Sequence, residues 1–256
     1  MVVTLLGAVV AVAQEPSLRV VNGLPPFSSV VAGRGMNVTL VMADEVETLP
    51  VPVARKIMGG AGRRAAAPSR VGPMCVVRAE PSVGKAVECV VEAGVLSVSA
   101  GKFKFRRSPR VDVFVVCDST LRLVHGTSGG NIKSRGTLRL PSLSVRADFA
   151  MEIHLTLISE TVSVRAANKS VVGIMGQVGA LHADISAASA IRMSRVSCAS
   201  VSLVADGECE ARVSAERSLG VSAKNHSRVE CSVPDFLLPA VEADETSSVI
   251  VAGRVR

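Results

Sequence analysis

Beyond residue 120 the chain returns repeatedly to an apolar-x-apolar triplet. The triplets are Leu121-Arg122-Leu123, Leu143-Ser144-Val145, Val162-Ser163-Val164, Leu181-His182-Ala183, Val201-Ser202-Leu203 and Leu219-Gly220-Val221, at steps of 22, 19, 19, 20 and 18 residues. A period near 20 marks a repeat architecture. Inside each unit apolar and polar positions alternate, as in Ile153-His154-Leu155-Thr156-Leu157 and Ile191-Arg192-Met193. Alternation by two is the strand signature, and β-branched residues dominate, so helical repeats are disfavoured. Small or polar breaks separate the strands: Gly126-Thr127-Ser128-Gly129-Gly130, Ala147-Asp148, Ala166-Ala167-Asn168, Ala187-Ala188-Ser189 and Ala205-Asp206-Gly207.

A unit of two or three short strands cannot bury its apolar side alone. Stacking each unit on the last, about 4.8 Å apart, aligns Val, Leu, Ile and Met in inward ladders and turns Ser, Arg, Glu and His to water. Leucine-rich repeats share the length but carry an Asn-bearing motif that this sequence lacks. The sequence therefore reads as an all-β solenoid with coils of about 20 residues. The first half is β-rich but less regular. Val30-Val31, Val38–Val41, Cys75–Val77, Val87–Val91, Val95–Val98 and Val111–Val115 read as strands, with Ala93-Gly94 as a tight hairpin turn. This half supplies either opening coils or a β cap over the end of the solenoid.

Composition narrows the chemistry. The 256 residues include no Trp, no Tyr and six Phe, which excludes aromatic cages and most sugar-stacking or single-strand nucleic-acid platforms. Six cysteines (Cys75, Cys89, Cys117, Cys198, Cys209, Cys231) form no CxxC pair, and four histidines show no ligand spacing, so neither a metal nor a cofactor is expected. An even number of cysteines suits a disulfide set in an oxidising compartment, and it equally suits thiols buried as small hydrophobes. Cys209 and Cys231, 22 apart, fall near one repeat and would stack on neighbouring coils. No Ser lies in GxSxG, and no phosphate-binding glycine loop follows a strand. Asp148 and Asp206 occupy similar points of their coils, but two or three coils of separation, roughly 10–15 Å, is too far for a glycosidase pair, and turn formation is their better account. No catalytic residue is expected.

The net charge of +7 is localised. Residues 46–70 hold five cations against one acid, residues 101–110 (GKFKFRRSPR) hold five cations and no acid, and the remainder sums to −2. Segment 46–70, rich in Pro, Gly and Ala, reads as a mobile loop inserted between strands. Lys102, Lys104, Arg106, Arg107 and Arg110 form the candidate polyanion contact, because a period of two sets the cations 102, 104 and 106 on one face and Phe103 and Phe105 on the other. The same pattern also describes a solvated edge strand protected by its lysines. Residues 2–13, VVTLLGAVVAVA, are too short to span a bilayer. They suit a secretory signal with Ala11-Val12-Ala13 before the cleavage point, although no cation precedes them, which a start placed slightly late would explain. A buried first strand is the other reading. No later stretch is apolar enough for a transmembrane helix.

Several stretches resemble the head GIN domain of auto-transporter adhesins, a family of unknown function common in exported bacterial proteins. They are Pro26-Phe27-Ser28-Ser29-Val30, Asn37-Val38-Thr39-Leu40, Val91–Val98, Ser108–Val113, the coils after residue 120 and the closing Val249–Val255. Gly-Ser-Gly turns usual in that family are represented here only by Gly126–Gly130. The resemblance implies a right-handed β-helix-like fold, export and an adhesion role, and it transfers no catalytic residue. The expected organisation is a signal peptide over 1–13, a β-rich part over 14–117 with the basic insertion at 46–70, and solenoid repeats with a closing strand over 118–256. The expected function is a non-enzymatic periplasmic or cell-surface adhesion or binding module, with acidic polysaccharide as candidate partner and no nucleic acid. A polymer-forming scaffold and a polysaccharide-degrading enzyme are the alternatives.

Overall fold

The computed structural model describes residues 16–58, 72–100 and 111–253. The stretch read as a signal peptide and the basic strip Lys102–Arg110 lie outside them. In chain order the strands begin with β1 (Ser17–Val21), β2 (Ser29–Ala32) and β3 (Met36–Met42). A 3-10 turn (Ala43–Thr48) and α1 (Val51–Ile57) then precede β4 (Met74–Ala79), α2 (Pro81–Gly84), β5 (Glu88–Glu92), β6 (Val95–Ser99) and β7 (Asp112–Cys117). There follow β8 (Leu123–Gly126), β9 (Gly130–Arg135), β10 (Leu138–Ala147), β11 (Glu152–Ala166), β12 (Val171–Ser186) and β13 (Ala190–Asp206). The chain closes with β14 (Glu210–Ser214), β15 (Ser218–Lys224), β16 (Arg228–Val233), β17 (Ala240–Ala243) and β18 (Ser248–Gly253). All belong to one sheet wound as a solenoid.

Strand β11 shows how sequence makes a coil. Ile153, Leu155, Leu157 and Ser159 are buried and alternate with outward residues; Glu160 and Thr161 then both face out, and Val162, Val164 and Ala166 resume the inward phase. Two consecutive outward residues are a corner. Each full coil thus has three faces: face I at 152–154, face II at 157–159 and face III at 161–166. Parallel pairing keeps them in register from coil to coil, with Ile153 beside Val172, Leu157 beside Gly176 and Val164 beside Ala183. At the second of these pairs φ of Gly176 is +111°, and a Cβ there would run into the Leu157 carbonyl, so only glycine fits. The coil that is one residue longer than its predecessor absorbs the extra residue as a bulge opposite Gly173 and Met175.

The N-terminal strands enter the same stack, out of chain order. On face I, β3 lies between β7 and β9; on face III, β2 lies between β6 and β8. The first coil of the chain is therefore the second in space, and the later coil β6–β7 sits outside it. Beyond β7 the sheet turns antiparallel through β4 and β1, which ends the parallel stack. The β5–β6 hairpin has the expected two-residue turn, with Ala93 and Gly94 at φ +48° and +75°. In segment 46–70, expected as a loop, residues 51–57 are instead helical. Val53, Ala54 and Ile57 of α1 cover Phe114, Val116, Val41 and Val76, and this second apolar cluster supplies the burial that the segment's mixed composition concealed.

At the other end, β17 and β18 pair only with β15 and β16 among the described residues. Phe236 and Leu238 beside them are 81% and 95% exposed. Cys209 and Cys231 do not stack as expected. The register sets Cys231 beside Val213 and Val251, while Cys209 lies at a corner, its amide donating to Ser227 Oγ. The coil that starts at Glu210 is two residues shorter between faces I and III than the one before it, and Ser227, not Cys231, falls on the Cys209 column.

Truncation of an inward residue should be costly and of an outward one cheap. Leu157→Ala is expected to lower unfolding free energy by about 2–5 kcal/mol and Ser163→Ala by no more than about 0.5 kcal/mol, read by urea denaturation followed by circular dichroism. Gly176→Ala should cost more than about 1 kcal/mol. Equal effects at Leu157 and Ser163 would refute the assigned faces.

Candidate functional site

Because coils stay in register, outward residues at one position form straight columns about 4.8 Å per step. On face I one column reads Lys133, His154, Gly173, Arg192, Arg212 and Glu230. The four basic members are exposed. A Cβ on Gly173 would meet the His154 ring, so the imidazole lies across the glycine. Glu230 is followed in the column by Ile250 and has Oε2 2.9 Å from Arg212 and Oε1 3.0 Å from Arg228. A shallow groove of about 250 Å³ runs between Arg192, Arg212, Arg228, Glu210 and Glu230. The column begins where the helical pad of α1 ends, as Lys133 follows Thr39 and the buried Phe114 in the same row.

Face III carries two further columns. Ser144, Ser163, His182 and Ser202 follow one another, and beside them His125, Arg146, Arg165 and Asp184. The second column is partly neutralised. Arg165 meets Asp184 at 3.3 Å, and His125 Nε2 lies 3.3 Å from Asp148 Oδ2. Sequence reading placed His154 and His182 outward correctly but did not single out either basic column. The signal existed on face III as Leu143-Ser-Val-Arg-Ala147 repeated at Val162-Ser-Val-Arg-Ala166.

The coil corner after face III is built from left-handed pairs. Phe149-Ala150, Asn168-Lys169, Ala187-Ala188, Gly207-Glu208 and Asn225-His226 all have positive φ. Their amides bond from coil to coil, as in Ala150 to Asn168 O (2.8 Å), Lys169 to Ala187 O (2.9 Å) and Ala188 to Gly207 O (2.7 Å). Together the pairs line an open trough of about 700 Å³. The next residue turns inward and makes a buried polar ladder: Met151 N–H donates to Ser170 Oγ and Ser170 N–H to Ser189 Oγ, each at 3.2 Å. At the last corner Asp244 accepts from the Asn225 amide at 2.7 Å and from Thr246. These bonds hold its carboxyl well below the usual carboxylate range although it is fully exposed.

The two acids weighed in the sequence stand three coils apart, about 14 Å at the strand spacing. Asp148 faces His125, and Asp206 accepts from Asn225 Nδ2 at 2.6 Å. Both bonds hold turns. Among the described residues no group of His, Cys, Asp and Glu is placed to hold a metal ion, and no helix is long and apolar enough to cross a membrane. The expected polyanion contact, Lys102, Lys104, Arg106, Arg107 and Arg110, falls in the undescribed segment that joins β6 to β7.

Residues 73–232 match the model of a family described as "Putative auto-transporter adhesin, head GIN domain". No curated protein sequence matches the chain significantly. Among solved structures, a putative adhesin from Bacteroides fragilis is similar with a TM-score of 0.72 at 9% identity, over 94% of this chain and 98% of that one. Putative adhesins from Parabacteroides distasonis and Parabacteroides merdae are similar with TM-scores of 0.66 and 0.62, each at 10% identity and over 93% of this chain; 97% and 96% of those chains are covered. At such identities the likeness speaks for the fold.

Ser170→Ala, which strands the Met151 amide, should cost about 1–3 kcal/mol in urea denaturation. Ala187→Gly should be neutral or stabilising by up to about 1 kcal/mol, whereas Ala166→Gly in a strand should destabilise by a similar amount. Because the Asp244 carboxyl is depressed in the folded state, its corner bonds are present at neutral pH and lost only as pH falls through the lowered folded value. Amide exchange at Asn225 should therefore stay slow well below the pH at which ordinary carboxylates protonate. Acceleration at the ordinary value would contradict the assignment.

Proposed function

Since the chain belongs to the family described as "Putative auto-transporter adhesin, head GIN domain", we propose that it is an exported, non-enzymatic module that adheres to acidic polysaccharide at the cell surface or in the periplasm. The observation that carries this reading is the face I column, in which the basic side chains Lys133, His154, Arg192 and Arg212 align on one sheet, interrupted only by Gly173. A polymer with repeating carboxylates or sulfates meets such a row at several points at once, so weak contacts add up without ordering a mobile loop. The serine column of face III supplies hydroxyls for further hydrogen bonds. Lys102, Lys104, Arg106, Arg107 and Arg110, which lie outside the described residues, are proposed as a further contact for the same polymer.

A second reading has its own support. β17 and β18 leave an unpaired edge among the described residues, flanked by Phe236 and Leu238, and such an edge favours end-to-end stacking into a scaffold.

On a glycan array the protein should retain sulfated or uronate-bearing glycans, and binding should weaken as salt rises, because exposed charges are screened beyond about 8 Å at physiological ionic strength. Lys133→Ala with Arg192→Ala and Arg212→Ala should lower affinity at least about tenfold, each lost charge contact contributing up to about 1 kcal/mol. Lys102→Ala with Lys104→Ala and Arg106→Ala should weaken it as well. Preference for neutral glycans would defeat the proposal, and filaments in negative-stain images would favour the scaffold. Cell fractionation with N-terminal sequencing tests export directly.

A further inference from the structure

The two ends of the stack present different backbone edges. At the capped end the outermost strands are blunted. β1 has α1 and α2 packed against it, and β5 carries an exposed acid at each end, Glu88 and Glu92. At the opposite end β18, Ser-Val-Ile-Val-Ala-Gly, contains no charge, no proline and no bulge, and among the described residues only β16 pairs with it. β17 likewise pairs only with β15 and is exposed at all four positions. The surroundings are apolar. Val241, Ile250 and Val251 are exposed, as are Phe236 and Leu238 in the connection between β16 and β17. A row of unpaired N–H and C=O groups beside exposed Val and Ile is a template for further strands.

The shape of this end selects its occupant. The open edges lie on two faces at once, β18 on face I and β17 on face III. Val241, Val249 and Val251 continue the inward columns of Val221, Val229 and Cys231, and no further rung covers them among the described residues. A lone extended peptide would pair with one face and leave the other wet, whereas a coil end matches both. The internal segments 59–71 and 101–110 leave from and return to the capped end. Eight ladder steps, about 38 Å, separate β7 from β18. An out-and-back excursion of 13 residues spans at most about 23 Å, so neither segment reaches. Among the described residues the one coil end with unblunted edges is this same end on another copy.

We propose that two copies of this chain join open end to open end about a two-fold axis, so that the parallel stack continues through the pair and association stops at two. The axis reverses the winding sense of one copy relative to the other, and facing strands run antiparallel, as β4 already does against β7. The valine rung gains the cover that each inner coil receives from its neighbour. Asp235, Glu242, Asp244 and Glu245 are exposed at this end, with no cation between residues 234 and 253, so the two ends also repel. Salt screens that repulsion, and the dimer therefore tightens as salt rises, opposite in sign to the polyanion contact. The dimer does not rest on the adhesion reading, and it differs from the scaffold in closing on itself.

The test is sedimentation equilibrium of the purified full chain over a wide range of concentration, at low and high salt. The expected result is a monomer–dimer equilibrium that tightens several-fold at high salt. Amide exchange at Val249–Ala252 should slow as the dimer forms. Phe236→Lys with Leu238→Lys and Ile250→Lys, all at exposed positions, should abolish the dimer, because edge lysines block strand pairing. Its melting temperature should match that of the wild type at concentrations where the latter is monomeric. Arg192→Ala should leave the dimer intact. A monomer at every concentration, growth beyond two copies, or a dimer that survives the lysine substitutions would overturn the proposal. A dimer that retains no acidic glycan keeps this interface and loses the adhesion reading, and a monomer that retains the glycan does the reverse.

Discussion

Every feature of this protein descends from the parallel backbone ladder between coils. A ladder bond fixes not only spacing but phase, because a shift of one residue would turn each inward side chain to water. Val145, Val164, Ala183, Leu203 and Val221 hold one column along face III, and Ala147, Ala166, Ile185, Ala205 and Ala223 hold the next. The second column is alanine at every position but Ile185. Length variation is then confined to places where the ladder tolerates it, namely the bulge opposite Gly173–Met175 and the shortened stretch between β14 and β15. Outward residues inherit the same order, and the basic columns arise without any dedicated loop.

A stacked coil has two ends, and the chain treats them differently. At one end the sheet reverses direction through β4 and β1, and α1 covers the outer side of β7, so Phe114 and Val116 are buried on the face that is wet elsewhere. At the other end β17 is exposed along its whole length. The basic columns lie between these ends on the most regular coils, where positions are held by pairing on both sides.

Much of this was legible in the residues. The triplet spacing revealed the coils, and the 20-residue step between Leu181 and Val201 was the imprint of the bulge. The corner breaks were visible as small residues, but their left-handed backbone was not, since Phe149-Ala150 and Ala187-Ala188 carry no preference for positive φ; only Asn168, Gly207 and Asn225 hinted at it. Helix α1 was hidden because Pro52 and neighbouring glycines resemble a loop, and its apolar side has meaning only beside Phe114. The cationic row of face I was unreadable for another reason: Lys133, His154, Arg192 and Arg212 are scattered in sequence and unite only through the register.

The interposed coil of β2 and β3 bears on how the molecule is made. A ribosome delivers these strands before either of their eventual neighbours exists, so they wait with both flanks vacant until residues near 100 and 130 emerge. Assembly therefore closes around the earliest segment from two directions instead of zipping steadily from one terminus. A shortened polypeptide starting after residue 42 would possess all later turns but lack the rung that joins them to the cap. The vacant slot would have the width of a single turn, and a synthetic peptide spanning residues 29–42 carries the complementary edge on each side.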